Sequence, residues 1–124
     1  MITEDYVSFD VAKLLKEKGF DIECNTAYYN GSLIDYTMYG FCIDGEFIFA
    51  PTHQMAMAWL REVHKVLIVI DAYYVDHWEG YIDSFQIYIY SHASTIMVPN
   101  EIAHHTDYEE AVETALKYSL ENLI

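Results

Sequence analysis

Apolar positions recur at helical spacing in three stretches of the chain and at strand spacing between them. The first helical stretch opens at Ser8, whose hydroxyl suits a helix N-cap. Val11, Leu14 and Leu15 then share a face with Ala12 beside them, while Lys13, Lys16 and Glu17 lie opposite. Gly19 supplies a left-handed stop, and Phe20 can fold back over the last turn, so the pattern predicts a helix from Ser8 to Lys18. A second helix is expected from about His53 to His64, behind Pro51 and a capping Thr52. Its buried stripe is Ala56, Trp59, Leu60 and Val63; Gln54, Ala58, Arg61 and Glu62 face water. A third begins near Thr106 and continues to the end, with Tyr108, Ala111, Val112, Ala115, Leu116, Ser119 and Leu123 on its core face.

Between the helices the periodicity changes. Residues 21–50 carry two hairpin-turn dipeptides, "NG" at 30–31 and "DG" at 44–45, with the strand-forming run "LIDYTMYGFCI" between them. One or two antiparallel strands are expected there. Val66 to Ile70 is continuously apolar and mostly β-branched, which reads as a strand buried on both faces. Residues 81–90 alternate, with Phe85, Ile87 and Ile89 on one face and Ser84, Gln86, Tyr88 and Tyr90 on the other. "DHWEG", with Gly80 at the turn, joins the two runs into a hairpin, and "SHASTIMVPN" after it is a loop in which Ile96 to Val98 forms a short extended piece. The order is therefore α-β-β-α-β-β-α. It predicts an α+β fold, a single domain spanning 1–124, with an antiparallel sheet and the helices packed on one face.

Composition narrows the function. With 124 residues, 53% of them hydrophobic, the chain can bury a core. Twenty acidic residues stand against six basic ones, a net charge of −14, and from Val66 onward ten acids face one base, Lys117. Such a surface repels phosphates and anionic membranes, so no direct nucleic acid and no membrane is expected as a partner. The charge suits a cation or a basic protein partner. No apolar run approaches the ~20 residues of a membrane span. The acidic N-terminus lacks a signal-peptide pattern, and two cysteines are no disulfide framework, so a cytoplasmic setting is expected.

Chemically capable side chains gather in two places. "HHTDYEEA", residues 104–111, offers His104, His105 and Asp107 as candidate metal ligands. Thr106 and Glu109 stand at capping-box spacing, however, and acids at a helix start favour its dipole. Adjacent residues on extended chain point to opposite sides, so one histidine at most joins Asp107. The second group is Asp76, His77 and Glu79 at the hairpin turn, flanked by Asp71 and Asp83. Its oxygens suit Ca²⁺ or Mn²⁺, but its spacing is not that of an EF-hand. Cys24 and Cys42 sit in no nucleophile motif, and no phosphate-binding loop is present in the sequence. No catalytic residue and no cofactor is therefore assigned. The aromatic content, twelve Tyr, six Phe and two Trp, points instead to contact surfaces. Tyr73, Trp78, Tyr88 and Tyr90 on the second hairpin are the candidate interface, for a homodimer or another partner.

The stretches "YVSFDVAKLLKEKGF", "APTHQMAMAWLREVHKVLIVI" and "YEEAVETALKYSLENLI" resemble segments of small proteins of gut Bacteroidetes and their phages or prophages. The resemblance implies a mobile-element origin and a cytoplasmic setting, and carries no activity or site residue. The functional expectation is a non-enzymatic, phage-type acidic protein acting through protein contacts as a homodimer. One form of it is a decoy for a basic, nucleic-acid-binding protein. The alternative is a small metal-dependent hydrolase using the histidines and carboxylates.

Overall fold

The computed structural model describes residues 5–40, 45–73, 84–92 and 94–124. It is an α+β protein built on antiparallel sheets with helices packed against them. The chain divides into two compact units, 1–56 and 57–124.

In the first unit, helix α1 (Phe9–Glu17) is capped at both ends by the residues the sequence marks. The Ser8 hydroxyl accepts from the Val11 N–H at 3.2 Å. At the other end Gly19, at φ 100°, lets its own N–H reach the Lys16 carbonyl while the Phe20 N–H reaches Leu15 at 2.9 Å. Val11, Ala12 and Leu15 are buried, and Phe20 is buried over the last turn. Strands β1 (Thr26–Tyr29) and β2 (Ser32–Asp35) form a hairpin around Asn30 and Gly31, both at positive φ, as a two-residue turn requires. The chain then departs from the extended run expected of it. Asp35 accepts from the Thr37 N–H, starting a single helical turn, α2 (Tyr36–Tyr39). Strand β3 (Phe47–Phe49) returns to pair with the free edge of β1, giving the order β2-β1-β3, and α1 packs on β3.

Helix α3 (His53–His64) has the predicted bounds. Thr52 caps it, accepting from the Met55 N–H at 3.2 Å. Ala56, Trp59 and Leu60 are buried, but Val63 is 57% exposed. The buried stripe ends before the helix does, and the chain then turns at Lys65 (φ 60°) into a strand.

That strand opens the sheet of the second unit. Strand β4 (Val66–Tyr73) pairs along its whole length with β5 (Ser84–Ser91). The other edge of β5 takes two short strands, β6 (Ser94–Ile96) and β7 (His104–His105), separated by a helical turn, α4 (Asn100–Ala103). Helix α5 (Tyr108–Asn122) packs on β4 and β5, burying Ala111, Val112, Ala115, Leu116, Ser119 and Leu120. Leu120 takes the core place assigned to Leu123, which becomes the C-cap. Among the described residues the predicted order survives with α2, β3, β6, α4 and β7 added, and the one expected sheet is two. Residues 74–83, where the sequence predicts a turn, lie outside the described residues.

Candidate functional site

The register of β4 and β5 sorts their side chains into two faces. On one, Val66 and Ile68 stand opposite Ser91 and Ile89, and all four are buried. Phe85 on the same face meets the Tyr108 ring of α5 edge-on at 5.5 Å, so this is the face the helix covers. On the other, Leu67 stands opposite Tyr90 and Val69 opposite Tyr88. Leu67, Val69 and Tyr90 are 40%, 38% and 37% exposed, and Tyr88 is half-buried. β4 is thus not buried on both faces, as its continuous apolar run suggests. Helix α5 covers one face, and among the described residues Leu67 and Val69 leave the other apolar and exposed.

The open face has a polar end. Asp71 stands opposite Gln86, and Gln86 opposite His104 of β7. Asp71 is exposed and accepts from the Ala72 N–H at 2.9 Å. It therefore needs no buried partner. Tyr88 and Tyr90 lie where the sequence places them. The side chain of Tyr73, and all of Trp78, Asp76, His77 and Glu79, lie outside the described residues.

The candidate ligands of "HHTDYEEA" do not converge. His104 is exposed on the open face, while His105, opposite Phe85, is on the covered face. The His105 ring is held at both nitrogens, with Nε2 2.7 Å from the Ile102 carbonyl and Nδ1 3.3 Å from Glu110. Asp107, rather than Thr106, is the N-cap of α5, and its carboxylate accepts from the Glu109 N–H at 2.9 Å. An aspartate cap also brings a full negative charge to the positive helix end, which a threonine hydroxyl does not. Hydrogen bonding to Glu109, through its side chain first and its backbone N–H second, holds the Asp107 carboxyl below the ordinary aspartate range. Among the described residues no three His, Cys, Asp or Glu side chains gather where one ion could be held.

Cys24 is a core thiol. It is buried, its S–H donates to the Ile22 carbonyl at 3.4 Å, and burial pushes its pKa up. That is the opposite of what an activated nucleophile needs. Cys42 lies outside the described residues.

A second feature, in the first unit, was not singled out from the sequence. A cavity of about 640 Å³ is lined by Lys16, Gly19, Phe20 and Asp21 after α1 and by Gly45, Glu46, Phe47 and Phe49 of the β3 segment. Phe47 and Phe49 meet edge-on at 5.2 Å, and the Tyr36 ring of α2 packs on both, at 4.8 and 5.0 Å. The alternation in "EFIFA" is the one local signal for it, since Phe47 and Phe49 fall on one face of any strand drawn there. Among the described residues no helix is long and apolar enough to cross a membrane. Compared with known proteins, the chain matches no family model, no curated protein and no solved structure.

Proposed function

We propose that this protein acts by protein–protein contact through the open face of the β4–β5 sheet, with Leu67, Val69, Tyr88 and Tyr90 at the centre of the contact. One observation carries this reading. The register sets two aliphatic and two tyrosine side chains side by side on a face that α5 does not cover. Tyrosine with aliphatic neighbours is the composition of contact cores, and an unpaired apolar face is stabilised when another surface takes its water. Charge favours a basic occupant. A second copy would bring −14 against −14, whereas a partner rich in Lys and Arg is attracted and can meet Asp71 at the polar end of the stripe. A decoy for a basic, nucleic-acid-binding protein is the form of this function that fits the charge and the mobile-element resemblance best.

The test compares the wild-type chain, Leu67→Lys with Val69→Lys, and Leu33→Lys as a control. Leu33 is 44% exposed on β2, so the control also places a lysine at an exposed leucine. Basic proteins captured from an extract by wild type and control are expected to fall at least about tenfold with the face variant, the cost of a lost contact centre. The capture should weaken as salt is raised. Equal recovery by all three chains contradicts the reading. A dimer in sedimentation velocity that strengthens with salt would give the face to a second copy and overturn the basic partner.

A further inference from the structure

The cavity of the first unit lies apart from the open sheet face in sequence and in chemistry. Its volume, about 640 Å³, falls within the ~300–1,000 Å³ of small-molecule sites. Its apolar wall is aromatic: Phe20 is buried, and Phe47 and Phe49 are half-buried and in ring contact with Tyr36. Rings that hold one another leave little side-chain freedom to be lost on binding. The space beside Gly19 is open, since a Cβ there would meet nothing within 4 Å. The charges at the mouth are Lys16, Asp21 and Glu46. Lys16 Nζ lies 3.9 Å from Glu46 Oε1, so the lining lysine already has a carboxylate beside it, and the described lining residues carry a net charge of −1.

These features select among ligands. An anion would be repelled by the lining and by the −14 chain. An ammonium group is attracted by the carboxylates, and an aromatic ring suits the phenylalanine wall. We propose that this cavity binds a small aromatic amine, its ring against Phe47 and Phe49 and its ammonium toward Asp21 and Glu46.

Three probes of one ring system test this on the full chain by calorimetry and ligand-observed NMR: naphthylmethylamine, the neutral naphthylmethanol and the anionic naphthoate. The amine is expected to bind once per chain and more tightly than the alcohol, and to exceed naphthoate by at least about fivefold, the scale of one close charge contact in water. Asp21→Asn with Glu46→Gln should erase the preference for the amine and leave the alcohol unchanged. Both carboxylates are exposed, so folding is not at stake. Phe49→Ala should weaken all three probes, and Leu67→Lys none. No saturable amine binding, equal affinity for the three probes, or binding lost in Leu67→Lys would each overturn the proposal.

Discussion

Asp107 begins α5 with one carboxylate, and its position has a consequence in acid. Its pKa is held below the ordinary aspartate value of about 3.9 by hydrogen bonding to Glu109. A carboxyl lowered in the folded state stabilises that state above the unfolded pKa, and the contribution is lost as pH falls through the folded pKa. The first turn of α5 should therefore stay intact at pH 5 and loosen below about pH 4. The Glu109 amide signal, followed by NMR from pH 6 downward, should titrate below the usual aspartate midpoint. Asp107→Asn should flatten that titration; a midpoint above about 4 would contradict the assignment. Other capping residues were legible at this scale: Ser8, Gly19 and Thr52 each do what their chemistry suggests. Asp107 was not, because Thr106 and Asp107 are both good N-caps, and Thr106 has the capping-box partner. What decides between them is the extended pairing of His104 and His105 with β5, a contact remote in sequence.

For the elements, the long helices and the β4–β5 pairing could be read from periodicity, and the burial of β4 could not. A run such as "VLIVI" fits a strand covered on both faces or one covered on a single face. The difference lies in how many layers pack on it, and here α5 supplies one. Leu67 and Leu116 make the contrast measurable. Leu116 of α5 is fully buried, so Leu116→Ala should destabilise by about 2–5 kcal/mol in urea unfolding. Leu67→Ala should change stability by no more than about 0.5 kcal/mol, as for an exposed position. Similar losses at the two sites would place Leu67 in a core and remove the open face. Residues 21–50 resisted reading for a different reason. β3 pairs with β1 across an intervening hairpin strand and helical turn, and Asp35 turns "DYTMY" into helix despite its strand-forming residues.

Over the whole molecule, charge and sheet exposure point the same way. A net charge of −14 disfavours contact with phosphates and with like-charged copies, and among the described residues Leu67, Val69 and Tyr90 stand exposed in one row with the half-buried Tyr88. The charge and the two tyrosines were legible in the sequence. Leu67 and Val69 were assigned to a buried strand, and only the register shows that they complete the stripe. The cavity was less legible still, because its walls come from α1 and β3 segments some thirty residues apart. The most direct measurement is oxidative footprinting of the chain, free and with its captured basic partner, read by mass spectrometry. Leu67, Tyr88 and Tyr90 should be labelled several-fold less in the complex, with Leu33 and Met38 unchanged. Protection at Leu33 and Met38 with none on the β4–β5 face would contradict the account.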